Sequence, residues 1–262
     1  MQIGTPRAAT SHICQAYSDR VEVRGLDLTS DIMGRMSFTD YFHLLLTGRE
    51  ATPSQRDFLD LLLISIAEHG MMPTNIVARM TYAADPGSLQ GAVAAGLLGC
   101  GPIILGTAEL CAALLAEAQA KVQNGTDAQT VCDEMAAAIK ARGGKAPGFG
   151  HPVHRPLDPR AERILELAVA RGVSGPHVAL ARQFRASVQK IWGKPLVMNV
   201  SMPIAAVMLD LGFPASVVKA IPLLARTASL LGHLAEEQTS PIGFLMAGKA
   251  EEAVTYIAQD DN

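Results

Sequence analysis

The sequence predicts an all-helical protein with one minor strand or hairpin near its N-terminus, and three observations predict it. Apolar residues make up 49% of the 262 but aromatics only 5%, and the excess is Ala, Leu, Val, Ile and Met, the types that suit closely packed helices. Helix-start and helix-stop residues recur at regular intervals. Only residues 18–28, SDRVEVRGLDL, alternate apolar and charged positions as a strand does.

Taken in order, Ser37-Phe38-Thr39-Asp40 has the form of a capping box ahead of YFHLLLT, with Gly48 placed to end that helix. Thr52-Pro53-Ser54-Gln55 repeats the logic, with Pro at the first helical position, and leads into a helix ending near His69-Gly70. Further helices are expected at roughly 74–84, 88–99, 105–123, 128–142, 159–171, 176–191, 202–211, 215–231 and 249–258, separated mostly by Gly or Pro. No internal repeat or low-complexity segment interrupts them. The length fits one large domain with a smaller lobe.

Twenty-two basic against 25 acidic residues, with no window rich in Lys or Arg, argues against a nucleic-acid partner. The longest apolar stretch, 91–118, is broken by Cys100-Gly101-Pro102 and followed inside by Glu109, so it reads as a buried helix pair and not as a membrane span. The opening MQIGTPRAATSHICQ lacks the apolar core of a secretory signal, and a cytoplasmic location is expected. Cys14, Cys100, Cys111 and Cys132 have neither CxxC nor Cys/His spacing, so reduced thiols packed in helices are expected and no metal site.

The chemistry gathers in GGKAPGFGHPVHRPLDPRA, residues 143–161. Its glycines let backbone approach a ligand while its prolines fix the shape of the loop. Asp158 is read as the N-cap of a helix opened by Pro159, with Arg160 in its first turn, a setting that suits a carboxylate or phosphate. On the residues alone, a plain connector and a binding loop remain open, as do a capping and a catalytic role for His69. Arg226, within the apolar helical pattern IPLLARTASLLGHL, requires an anion from protein or substrate.

GFGHPVHRPLDPRA is very similar to the GxGHxVxxxxDPR signature of citrate synthases. RGLDL near 24, SFTDYFHLLLTGREATPSQ, AEHGMMPTNIVARM, Asn199-Val200 and ARTASLLGHLAEEQ follow in the family's order, over roughly residues 12–248. The short chain resembles the citryl-CoA lyases and the corresponding module of ATP-citrate lyase more than full-length citrate synthases. The resemblance implies a two-lobed helical homodimer, with a large domain of 1–107 plus 213–262 and a small one of 108–212. It also implies a carboxylate and a coenzyme A ester as substrates, with no permanently bound cofactor.

By the same resemblance His151 polarises the substrate oxygen, His69 is the earlier histidine of the site, and Arg160 and Arg226 grip carboxylates. Gly148, Phe149 and Gly150 form the turn around the CoA adenine, and Arg155 lies near its phosphates. The departures are as informative. Ser201 stands where the family has the Asp that moves the acetyl proton, and a hydroxyl cannot act directly as that base. Ile104 stands where citrate synthases carry a histidine that lyase-type relatives also lack. Ser240-Pro241 replaces an Arg-Pro pair that serves the partner subunit's site. The implied activity is cleavage or formation of the bond between an acetyl-CoA-type enolate and an oxo acid, with Ser201 and a water, His69 or His154 left to carry the last proton. A homologue of altered role, or one acting on a different 3-hydroxyacyl-CoA, is the alternative.

Overall fold

The structure, a computed structural model, describes residues 9–257; the first residues of the opening segment and the final residue of the expected 249–258 helix lie outside them. The chain divides into two units, residues 1–60 and 61–262.

The first unit holds a three-stranded antiparallel sheet in the order β1 (Cys14–Ala16), β2 (Val21–Val23), β3 (Leu26–Asp27). The expected arm at 18–28 is therefore two strands, and a third strand precedes it. Arg24 and Gly25, with φ of 53° and 85°, make the two-residue turn that pairs Val23 with Leu26. Asp27 accepts hydrogen bonds from the N–H groups of Thr29 and Ser30 and so caps a π-helical turn at Leu28–Ile32. Helix α1 (Phe38–Thr47) starts at the Ser37/Asp40 capping box and ends at left-handed Gly48, as expected. Val23, Ile32 and Leu44 form the core of this unit. Helix α2 (Pro53–Ala67) carries the chain from the first unit into the second.

The second unit is helical: α3 (Pro73–Ala84), α4 (Leu89–Leu98), α5 (Thr107–Gln123), α6 (Ala128–Ala141), α7 (Pro159–Ala170), α8 (Pro176–Trp192), α9 (Ser201–Asp210), α10 (Ala220–Thr239) and α11 (Gly243–Ala253). Pro73, Pro159 and Pro176 each open a helix at its first position, where a missing N–H costs nothing. Helix α3 packs on α4, α10 and α11, while α9 packs on α5, α7 and α8. Every residue from Ser201 to Met208 is buried. A helix enclosed on all sides is held by burial more than by propensity, at about 1.5–3 kcal/mol for each large apolar side chain.

Three expectations are corrected. The helix placed at 215–231 is a 3₁₀ turn at Ala215–Val217 followed by α10, which runs through Gly232 to Thr239. A helical Gly costs about 1 kcal/mol, and the burial of Leu234 and the ion pairing of Glu237 outweigh it. The helix placed at 249–258 begins at Gly243, because the Glu237 carboxylate accepts the N–H groups of Ile242 and Gly243 that would otherwise be orphaned at its start. Gly243 also permits the contact with α3, since a Cβ there would lie 2.5 Å from that of Ala83. The cysteines do not share one setting: Cys111 and Cys132 are buried in helices, Cys100 lies in a turn and Cys14 is exposed on β1, all four free.

The apolar stretch 91–118 forms α4 and α5 with turns between them, and each packs on other helices. Among the described residues, Ala215–Thr239 is long and apolar enough to cross a membrane. Its buried Arg226 and Glu237 are bonded to α3, which suits a core helix of this unit.

Candidate active site

The loop before α7 is fastened to the segment before α9. Gly150 N donates to Val197 O at 2.7 Å and Asn199 N to Gly148 O at 2.8 Å, with Phe149 bridged to Met198. The Asn199 side chain adds a bond from Nδ2 to Gly150 O at 3.0 Å. Gly148 has φ +76°, and a Cβ there would meet Cys111 Sγ at 2.8 Å, so the turn passes through a space that only glycine fits. This stitching brings His151 and Ser201, the first residue of α9, onto the wall of one cavity.

Asp158 ties the same two elements together from the other side. Fully buried, it caps α7, accepts Val200 N at 3.2 Å, and takes both Nε (3.0 Å) and Nη2 (2.8 Å) of Arg160. Burial raises its pKa, but the bonds and charge of Arg160 outweigh burial and hold it below the ordinary carboxylate value. The guanidinium expected to grip a substrate carboxylate is thus largely spent on Asp158.

His151 Nδ1 accepts the N–H groups of Val153 (3.1 Å) and His154 (2.9 Å). The ring proton therefore sits on Nε2, which faces Arg160 Nη2 at 3.3 Å. Two donors directed at one another mark a place where an oxygen anion would be welcome. Burial and then the neighbouring His154 push the His151 pKa down to about 4, so the ring is a neutral donor at pH 7. His69 is likewise lowered, by burial first and then by Arg160 and His154. Its Nε2 meets His154 Nε2 at 3.1 Å, which makes one ring donor and the other acceptor.

The ring centroids of His69, His151 and His154 lie 4.3–5.1 Å apart, and their ligand nitrogens fall within 4.8 Å of one another. Such a triad could ligate a metal ion, but the lone pair of His151 Nδ1 already serves two backbone N–H groups and its Nε2 carries the proton. The set is better suited to passing protons than to holding a cation.

Arg226 is 1% exposed. Its Nη1 donates to Asn75 Oδ1 at 2.6 Å and Ser229 Oγ at 3.1 Å, while its buried Nε has no hydrogen-bond partner among the described residues. Glu68 lies near enough to be felt, but its oxygens are taken by Ser229 Oγ, His233 Nε2 and the N–H groups of His69 and Gly70. Burial pushes the Arg226 pKa down and outweighs the charge of Glu68, which raises it.

His69, His151, Arg160, Ser201 and Arg226 line one cavity of about 550 Å³. Gly150 is on its wall; Gly148 and Phe149 lie behind, in the stitched turn. Arg155 turns back on its own loop, donating to the carbonyls of His151 and His154. Sequence reasoning missed Glu68, Asn75 and His233, whose bonds position Arg226 and His69. Their spacing held a signal: Asn75 and Arg79 stand four apart on α3, and Arg226, Ser229, His233 and Glu237 recur every three or four residues on α10, two polar ridges in otherwise apolar helices.

Comparison with known proteins identifies the family. The family described as citrate synthase, C-terminal domain, matches residues 8–243. A Mycobacterium tuberculosis protein named "Putative citrate synthase 2" is 33% identical over 243 residues, covering 88% of this chain and 60% of that protein, so the chain spans well under two thirds of that relative's length. The structure of citryl-CoA lyase from Hydrogenobacter thermophilus superposes with a TM-score of 0.84 at 26% identity, covering 98% of this chain and 97% of that one. ATP citrate lyase from Methanothrix soehngenii, solved with citrate and coenzyme A, shares the fold at 19% identity with a TM-score of 0.77, covering 99% of this chain and 43% of that one. On the extent of the family match and this likeness in shape, the chain belongs to the citrate synthase family, on its citryl-CoA lyase-like branch.

Proposed function

We propose that this protein makes or breaks the carbon–carbon bond between the enolate of an acyl-CoA and an oxo acid, as a lyase or synthase of the citryl-CoA lyase type. The convergence of a neutral His151 donor and an anion-seeking Arg226 on one cavity carries this reading. In the cleavage direction the substrate hydroxyl passes its proton to the His69–His154 pair as the carbon–carbon bond opens, and the same proton is available to return to the enolate carbon. The carbonyl oxygen then takes the His151 Nε2–H bond, with Arg226 on the acid's carboxylate. The enolate carbon must next receive a proton. Ser201 cannot supply a carboxylate's basicity, and the His69–His154 pair, linked at 3.1 Å, supplies a titratable group in its place.

The CoA end is assigned to the Gly148–Phe149–Gly150 turn, with Arg155 released from its loop carbonyls towards the phosphates. Helices α3, α4, α10 and α11 pack as one set and α5 to α9 as another, which supports lobe boundaries near 107 and 212. A cytoplasmic homodimer completes the proposal.

Calorimetry with CoA and acetyl-CoA at millimolar concentration tests the binding half, and the absence of any heat or thermal shift would overturn it. Turnover is followed with citryl-CoA and with acetyl-CoA plus a panel of oxo acids that includes oxaloacetate, for wild type and Ser201→Asp. Turnover by the wild type is expected. Ser201 also favours a second reading, a homologue that binds without turnover, and a silent wild type rescued by Ser201→Asp would establish it.

A further inference from the structure

The acid half of the cavity has an unequal wall, and the inequality bears on which acid enters. Its cations are two, but they are not equivalent. Arg160 is closed onto buried Asp158 through Nε and Nη2, at 3.0 and 2.8 Å, so that pair adds no net charge. Arg226, 1% exposed, has no carboxylate of the described residues within ion-pair distance, and its Nε is unpartnered. A buried guanidinium left so is stabilised by one anion from outside.

Thr107, Asn199 and Ser201 add neutral polar groups to the wall, and much of the remainder is apolar. Ile66, Met72, Ile104, Leu105 and Val200 line the cavity, and Ile103, 87% exposed, stands at its mouth. A second carboxylate laid against these apolar side chains would lose its hydration with no unpaired cation beside it, since Arg160 is closed onto Asp158 and the His151 donor is left to the oxo oxygen. An ethyl or isopropyl group would instead bury apolar area against isoleucine and leucine.

Resting on the proposed reading of the site, we infer that the oxo acid accepted or released by this protein is a monocarboxylate. Arg226 holds its one carboxylate, and an apolar substituent lies against the Ile103-Ile104-Leu105 turn. Oxaloacetate, with its second carboxylate, is then the poorer ligand.

Calorimetry on the full chain, with acetyl-CoA present, compares 2-oxobutanoate and 3-methyl-2-oxobutanoate with oxaloacetate. The apolar acids are expected to bind at least about tenfold more tightly, because oxaloacetate must give up the hydration of a second carboxylate. Arg226→Gln should abolish binding of all three acids while leaving the acetyl-CoA heat in place. Ile104→His, on a turn and not in the core, should narrow or reverse the preference and leaves the test intact if the arginine variant fails to fold. Equal or tighter binding of oxaloacetate, or an Ile104→His variant with the wild-type preference, would overturn the inference. Acetyl-CoA binding with no acid bound overturns it too but leaves the CoA reading standing. Apolar-acid binding without CoA binding does the opposite.

Discussion

Helices α3 and α10 share two fully buried arginines, and the two are furnished very differently. Arg79, on α3, gives Nη1 to Glu237 at 2.7 Å, Nη2 to Glu236 and Nε to His233 Nδ1 at 3.0 Å. Its charge is matched and its donors are used. Arg226, on α10, has two neutral oxygens on Nη1 and an idle Nε. The two lie on one connected network, because His233 bonds Arg79 through Nδ1 and Glu68 through Nε2, and Ser229 bonds both Glu68 and Arg226. Under the proposed function, the guanidinium left short is the one that meets the acid's carboxylate.

The largest expected effect follows from that contrast. Arg79→Met leaves Glu237 buried at 3% exposure with no cation, and urea unfolding should show a loss of about 3–5 kcal/mol. Arg226→Met removes an uncompensated charge from the same helix pair, so its stability should lie within about 1 kcal/mol of wild type despite equal burial. Similar losses for both would erase the distinction between a structural and a ligand-seeking arginine.

Acid separates the two regions a second way. Between pH 6.5 and about 4 an unfolded chain takes up a proton at His151 that the folded site refuses, so stability falls as pH drops through that window. His69, lowered in the same direction, adds to the loss. Around Arg79 the titrating group is Glu237. Burial raises its pKa, but the bonds and charge of Arg79 and the N–H groups of Gly243 and Ile242 hold it below 4.5, so its contribution is lost only at lower pH. Unfolding midpoints measured from pH 8 to 3 should therefore fall in two steps. His151→Asn should shrink the first and leave the second, and a profile parallel to wild type would remove His151 from the account.

What the sequence announced and what it hid divide along the same physical line. Starts at Ser37, Pro53, Pro73, Pro159 and Pro176 are legible because caps and prolines act within one turn of chain. Gly232 misled because a tertiary contact, not a local preference, carries α10 past it. In the site, His69, His151, Arg160 and Arg226 were legible through their motifs, and all four line the cavity. The pairing of Arg160 with Asp158 was not, since an N-cap aspartate beside an arginine two residues later fits either a closed pair or an open site. The difference between Arg79 and Arg226 was equally hidden, because it depends on which residues of α10 meet α3, a property of packing and register.

The smallest expected effect concerns the hydroxyl between Arg226 and the nearest carboxylate. Ser229 Oγ accepts from Arg226 Nη1 at 3.1 Å and donates to Glu68 Oε2 at 2.8 Å, holding that carboxylate beside the guanidinium without an ion pair. Glu68 is half exposed and keeps His233 and two backbone N–H groups, so Ser229→Ala should cost about 0.5–1.5 kcal/mol in the unfolding midpoint. With the spacer gone, Glu68 is free to close on Arg226 and become the anion the site otherwise lacks. Acid binding by calorimetry should then weaken several-fold while stability changes little. Tighter acid binding in Ser229→Ala would mean that Glu68 does not compete for Arg226. The shortage of negative charge that sets Arg226 apart from Arg79 would then have to be maintained by Asn75, which keeps Nη1 on a neutral amide oxygen.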